Sequence, residues 1–340
     1  MNDTKVDLYE VTLEPSGKQI QVKEGQTLLD GIIRNGLQVS YGCRHGNCAL
    51  CKAKVLDGEY EIMDRVTDYS LLSFERDEGY VLLCSTVPES DLIVEIEEEE
   101  SEGLEFHPVV DFEATVVNNE RLTKDIHLIQ VEMRQQNGIR YSSGQFFEFD
   151  IPEIEQTRAY SMANRYVEKQ PLDFHVKRIE NGAGSNYMCD LQPGATVTGS
   201  GPYGKMQLID REKDLIFIAG GSGMAPIKAL VEELFNGLYQ HQAWFFYGAR
   251  TKDDLFLTEQ WNQLERDYPN FHFVPALSDQ PNDEEWLGET GYIANVVEKY
   301  LSDVSQMDAY LCGPPILIET VTNTLYKGGL RRSNIFSDEF

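Results

Sequence analysis

Three cysteines fall close together in "YGCRHGNCALCK", residues 41–52, in a chain that has only six. Cys43, Cys48 and Cys51 are spaced C-x4-C-x2-C, and Cys84 follows in "VLLCSTV". Four thiolates in this order are a ligand set for a 2Fe-2S cluster. Gly42 and Gly46 free the backbone to wrap such a group, so that amides can point at its sulfurs. A structural zinc site is the competing reading, but such sites usually pair two short C-x2-C knuckles, and only one is present. A dithiol redox pair would leave Cys43 and Cys84 without a role. Cys189, in "NYMCDLQPG", reads as a small core residue. His45, inside the cysteine loop, reads as solvent-facing and not as a ligand.

Further along the chain, two sets of residues suit elongated, phosphate-bearing ligands. In "TRAYSMAN", strand alternation puts Arg158 and Tyr160 on one face, a cation for a pyrophosphate and an aromatic for a ring. Ser161 falls on the other phase and offers a hydroxyl. "NGAGSNYM" then brings Gly182, Gly184 and Ser185 to a helix start, where amides bind anions. "DLIFIAGGSGMAP" runs an apolar strand into Gly220, Gly221, Gly223 and Met224, with Pro226 in the first helical turn. Glycines there admit a dinucleotide pyrophosphate, although the order is not G-x-G-x-x-G. "FFYGAR" places Tyr247, Gly248 and Arg250 to border an adenosine, and "AYLCGPP" sets Cys312, Gly313 and Pro314 at the carboxyl end of a later strand. Asp253 and Asp254 follow Arg250 and would repel a 2′-phosphate, so NADH is expected over NADPH.

The elements that must position these groups divide the chain by pattern. Residues 1–100 show alternating strands around a Ser-Gly turn and a short helix with Leu28, Leu29, Ile32 and Ile33 apolar, and the cysteine loop follows it. Residues 101–108 close the acidic run "EIEEEESEGLEFHP", which reads as a solvated linker. Residues 109–208 carry short strands between Gly, Pro and Asn turns, the pattern of an antiparallel barrel. Residues 209–340 alternate strand and helix, which argues for a parallel sheet covered on both faces. The chain carries 29 basic and 57 acidic side chains, a net charge of −28. Such a surface repels nucleic acid and anionic membranes. Residues 1–105 hold nine of the basic and 23 of the acidic side chains. The amino terminus lacks a signal-peptide core and no run is long and apolar enough to span a membrane, so a cytoplasmic location is expected, and the chain is read as a monomer.

In this order the motifs resemble the ferredoxin-NADP reductase superfamily, in the branch with an amino-terminal ferredoxin domain that includes reductase components of bacterial multicomponent oxygenases. The resemblance implies an α+β multidomain chain: a β-grasp 2Fe-2S ferredoxin domain, an antiparallel β-barrel flavin domain and a doubly wound parallel α/β NAD domain. It implies FAD held with Arg158 on the pyrophosphate, Tyr160 against the isoalloxazine, Ser161 near N5, Val176 and Lys177 alongside, and Gly182 through Ser185 on the phosphates. It also implies that the Cys312 thiol sits beside the nicotinamide C4 and that a terminal aromatic, Phe340 or alternatively Phe336, covers the other flavin face. Electrons would pass from NADH through FAD and the cluster to an oxygenase, because a flavin takes a hydride and releases single electrons. "GCRHGNCALCKAKVLDGEYEIMDR" and "DEGYVLLCSTVPESDLIVEIE" are most similar to reductases of soluble di-iron monooxygenases acting on methane, propane or phenol-type substrates, the propane members first. Reductases of aromatic-ring dioxygenases and of deoxysugar synthesis remain alternatives. A redox-sensing module is disfavoured, because a sensor has no need of fast hydride entry.

Overall fold

A computed structural model describes residues 7–339 apart from 42, 43, 45, 98–103, 136, 137, 210 and 280–285. The chain forms two compact units. The first comprises residues up to 102 together with Phe106–Val110, and the second comprises Gly103–Glu105 and Asp111 onward.

In the first unit, β1 (Leu8–Glu14) and β2 (Lys18–Lys23) form the hairpin that their alternation predicts. Helix α1 (Leu28–Arg34) starts at Thr27, whose side chain accepts from the Asp30 amide, and it buries Leu28, Leu29, Ile32 and Ile33. Then follow β3 (Lys52–Asp57), β4 (Tyr60–Ile62), α2 (Ser73–Asp77), β5 (Tyr80–Leu82), β6 (Thr86–Pro88) and β7 (Leu92–Glu95). The main sheet runs β2-β1-β7-β3-β5, with β1 and β7 parallel, and β4 pairs with β6 beside it. This is the β-grasp arrangement, a mixed sheet folded over one helix. The stretch expected to be solvated linker is in part held. Glu105 exchanges two hydrogen bonds with the Gln207 side chain of the same unit, and just past the stretch the buried Val109 donates its amide to the Ile33 carbonyl.

The second unit opens with six antiparallel strands: β8 (Val110–Arg121), β9 (Ile126–Met133), β10 (Phe146–Ile151), β11 (Gln156–Ser161), β12 (Leu172–Lys177) and β13 (Thr196–Tyr203). Helix α3 (Ala183–Asp190) lies between the last two. The order β11-β10-β13-β8-β9-β12 is drawn into a barrel by a bridge between Met162 and Phe174. Its interior is Phe112, Phe147, Phe149 and Phe174 packed edge to face, with Cys189 buried among them.

A parallel sheet follows in the same unit: β14 (Leu215–Gly220), β15 (Ala243–Ala249), β16 (Phe271–Leu277), β17 (Glu289–Thr290), β18 (Asp308–Gly313) and β19 (Ile335–Glu339), ordered β17-β16-β15-β14-β18-β19. Every residue of β14 and β18 is buried, because helices cover both faces. Helices α4 (Met224–Phe235) and α5 (Thr258–Asp267) pack on one face, and α6 (Ile293–Tyr300) and α7 (Pro315–Lys327) on the other. Among the described residues no helix is long and apolar enough to cross a membrane.

Candidate active site

In the ferredoxin fold, Cys48 is exposed while Cys51 and Cys84 are buried and free. Cys43 and His45 lie outside the described residues, and among those described no three His, Cys, Asp or Glu side chains converge as a metal site. The surroundings favour thiolate at Cys84. A bond from Cys51 lowers its thiol first, the Ser85 hydroxyl and the Gly46 amide add to this, and the nearby Arg65 charge contributes, while Cys51 is raised as the donor. Arg65 donates to the Cys84 carbonyl at 2.5 Å and to Ser85 Oγ at 3.1 Å. Gly46 has φ +88°, and a Cβ there would meet Ser85 Oγ at 3.1 Å. Two buried sulfurs beside a glycine turn, aided by donors and a cation, fit an anionic iron-sulfur group.

On the barrel, β11 pairs with β10 so that Arg158 faces Phe149 and Tyr160 faces Phe147, on the one face that alternation predicts. The Tyr160 ring lies 6.0 Å from Phe149 and is half-buried, which pushes its hydroxyl pKa up. Ser161 ends the strand, half-buried. Arg158 is exposed and bonds Gln156 Oε1 and the Thr157 carbonyl. Helix α3 begins at Gly182 with no side chain capping it, and Ser185 Oγ accepts from the Ile179 amide. Gly184 sits under Arg158, where a Cβ would lie 2.5 Å from its Cγ. A guanidinium and a helix start thus share one exposed spot, the charge pattern that an FAD pyrophosphate needs. Val176 faces the barrel core and is fully buried, whereas Lys177 lies 3.7 Å from Asp125.

Where the barrel meets the carboxyl ends of the parallel strands there is a cleft of about 550 Å³. Gly220, Gly221, Gly248, Arg250 and Pro314 line it, as do Lys124, Asp125 and Lys177 from the barrel and Ser278, Tyr292 and Ile316 from the sheet side. Gly221 has φ +57° and open space around its missing Cβ. A Cβ on Gly223 would collide with the Cys312 carbonyl, so the two turns touch backbone to backbone, with Gly313 beside them.

Two expectations change here. Tyr247 does not border the cleft: it is fully buried among Phe245 and Phe256, because β15 points that phase into the core under α4 and α5. Asp254 does not face a nucleotide as a bare anion. Burial works to raise its carboxyl, but bonds from Lys124 at 2.8 Å and from the Thr251 amide and hydroxyl outweigh that and hold it below the usual range. Met224 is likewise a core side chain that leaves only its backbone at the turn. The Cys312 thiol is buried, and desolvation first, then Asp338, raises it well above the ordinary range. Phe336 stacks on Tyr310 at 5.0 Å, and Phe340 lies outside the described residues. Lys124, Asp125, Ser278 and Tyr292 went unpredicted. Tyr292, an aromatic that is 75% exposed at the start of α6, is the one that a reading for unexplained surface rings could have found.

Known families match in the same order. The descriptions are a 2Fe-2S iron-sulfur cluster binding domain over residues 11–89, an oxidoreductase FAD-binding domain over 113–208 and an oxidoreductase NAD-binding domain over 217–323. Full-length relatives include the phenol hydroxylase P5 protein of Acinetobacter pittii, 36% identical over 98% of this chain and 94% of that one. The chain belongs to the family of monooxygenase reductase components. The reductase component of propane 2-monooxygenase from Rhodococcus jostii is 31% identical over 99% of this chain and 93% of its own. Phenol-type similarity therefore exceeds propane-type, the reverse of the order expected from the ferredoxin segments. Among solved structures, a cytochrome P450 reductase from Amycolatopsis superposes with a TM-score of 0.86 at 25% identity over 98% of both chains. This oxidoreductase accordingly binds a 2Fe-2S cluster, FAD and NAD.

Proposed function

We propose that the protein draws hydride from NADH and supplies single electrons to the hydroxylase of a soluble di-iron monooxygenase, one acting on phenol-type substrates before alkanes. The supporting observation is the shared cleft: barrel residues Lys124, Asp125 and Lys177 form one wall and the carboxyl ends of β14 and β15 the other. A dinucleotide laid on the sheet would there meet the flavin-bearing half. FAD, when bound, accepts two electrons as hydride and releases them singly, the form in which a 2Fe-2S cluster takes them.

In this reading, Arg158 and the start of α3 from Gly182 through Ser185 hold the FAD pyrophosphate, Tyr160 packs on the ring system, Ser161 presents its hydroxyl near N5, and Lys177 faces the cleft. Gly220, Gly221 and the backbone at Gly223 and Met224 take the NADH pyrophosphate, while Gly248, Arg250 and the Tyr292 ring take the adenosine. Cys312, Gly313 and Pro314 close the nicotinamide end, with Cys312 a neutral packing thiol. Cys43, Cys48, Cys51 and Cys84 hold the cluster. Phe340 remains the candidate cover for the flavin. With Asp254 neutralised by Lys124, discrimination against a 2′-phosphate falls to exposed Asp253 and to Asp279, beside cleft-lining Ser278. The domains run 1–100, 109–208 and 209–340 around the segment 101–108, and the protein acts as a cytoplasmic monomer.

Anaerobic stopped-flow mixing with NADH tests the reading. Flavin absorbance should bleach first and cluster absorbance after it, and the reduced protein should then reduce a phenol-type hydroxylase. A flavin- and iron-loaded protein that NADH leaves oxidised would refute it.

A further inference from the structure

Lys228 is a lysine on α4 that is only 8% exposed, one turn after the glycine turn that enters the helix. Its Nζ donates to the Ala163 carbonyl at 2.8 Å and pairs with Glu232 at 2.6 Å. Ala163 is two residues past Ser161, and its own amide donates to the Asp173 carbonyl on β12 at 2.6 Å. The peptide that follows the R-x-Y-S strand is therefore held by the barrel on its N–H side and by the nucleotide-binding half on its carbonyl side. Two carboxyls stand close to this tie: Glu232, which pairs with Lys228, and Asp173 on β12, which the Lys228 charge reaches. His175 on β12 lies edge-on to Phe256 at 5.2 Å, and burial first and Lys228 second keep its ring neutral.

A buried ammonium is costly to desolvate, and an apolar side chain of similar volume would hold two packed faces together as well or better. What an apolar residue lacks is a directional bond to a single carbonyl, which ties the two faces at one point. That carbonyl lies between the strand assigned to the flavin and the helix assigned to the dinucleotide. We propose that Lys228 is a positioning residue for hydride transfer, locking the end of β11 to the start of α4 so that the nicotinamide and flavin rings stack at reacting distance. The inference rests on the reading of the cleft given above. An angstrom-scale misplacement of reacting groups is enough to cost on the order of a hundredfold in rate.

The test compares Lys228→Met and Lys228→Arg in the full chain loaded with FAD and iron. Lys228→Met should keep its FAD content and bind NAD+ within twofold of the parent by calorimetry. It should nevertheless lose the long-wavelength absorbance of nicotinamide stacked on flavin, and its flavin reduction at saturating NADH should slow tenfold or more. Lys228→Arg, which keeps a cation and donors, should restore most of both signals. Lys228→Gln is read in the same way if the Met variant does not fold. Unchanged stacking absorbance and reduction rate in flavin-loaded Lys228→Met would overturn the proposal. So would variants that only melt earlier or shed FAD while each remaining flavin is reduced at the parent rate. If the parent protein itself is not reduced by NADH, the functional reading fails first, a result distinct from either.

Discussion

The Cγ of Arg158 lies 2.5 Å from where a Cβ on Gly184 would stand, so the Arg158 stem packs against the first turn of α3 only because residue 184 has no side chain. Gly184→Ala should push Arg158 aside, and Arg158→Ala should remove the charge outright. Loss of one charge-assisted contact that bound FAD would cover costs on the order of 2 to 4 kcal/mol in FAD binding. Lysine at 158 should recover little, because a point charge does not reproduce a bidentate fork. Fluorescence titration of the apoprotein with FAD gives the affinities, and an Arg158→Ala protein that binds FAD as tightly as the parent would move the flavin elsewhere.

Cys48 is the exposed ligand candidate, and it lies in a compact unit distinct from the one that carries the barrel and the nucleotide cleft. The loaded protein should contain two irons and two labile sulfides per chain and give a rhombic EPR signal on reduction. Cys48→Ser should retain FAD and NADH-driven ferricyanide reduction while losing most cytochrome c reduction. Loss of both activities in a folded, flavin-loaded variant would show that hydride entry depends on the cluster.

Much of this was legible because local pattern and tertiary role coincide. The spacing of Leu28, Leu29, Ile32 and Ile33 places α1, and the unbroken apolar run of β14 announces a strand buried on both faces. Tyr247 was misread because "AWFFYGA" offers no polar phase, so alternation cannot say which aromatic turns inward until α4 and α5 pack on that face. The Lys124 contribution to the cleft was invisible, since it depends on a barrel turn meeting a sheet more than a hundred residues away in sequence. The role of Lys228 was equally invisible, since its carbonyl partner, Ala163, lies on the barrel 65 residues earlier.

Asp338 pairs across β18 and β19 with Cys312, and its Oδ2 is buried with no hydrogen-bond partner among the described residues. Burial pushes its carboxyl up from 3.8 to about 6. A raised folded value means that the folded protein holds this proton more tightly than the unfolded chain does. That contribution is complete below about pH 4 and is lost as pH rises through about 6, a difference of roughly 3 kcal/mol. Asp338→Asn should therefore melt above the parent at pH 7 and converge with it near pH 4. A gap that does not vary with pH would mean that the carboxylate is solvated.

Discrimination between nicotinamide cofactors should follow the carboxylates beside the cleft that no cation in the described structure neutralises. Asp253 and Asp279 are exposed, whereas Asp254 is tied to Lys124 and Thr251. Replacing Asp253 and Asp279 with serine should raise kcat/KM for NADPH about tenfold, equivalent to about 1.4 kcal/mol, with little change for NADH. Asp254→Asn should improve NADPH use less, because its charge is already compensated. If Asp254→Asn alone gives the larger gain, the Lys124 pair must open when the dinucleotide binds.

Residues 1–105 carry nine basic against 23 acidic side chains, so the domain that delivers electrons has a strongly negative field. An oxygenase that accepts them should present basic residues around its docking site, and encounter should be steered by that complementarity. Steering is screened once the Debye length falls to about 8 Å near physiological ionic strength. The rate constant for reducing the isolated hydroxylase should therefore fall as salt rises from low to high. NADH-to-ferricyanide turnover, which needs no protein encounter, should follow a different salt dependence and serves as the internal control. If the acidity only keeps the protein in solution, stopped-flow reduction of the hydroxylase will be flat across the same range, and the charge will have no part in docking.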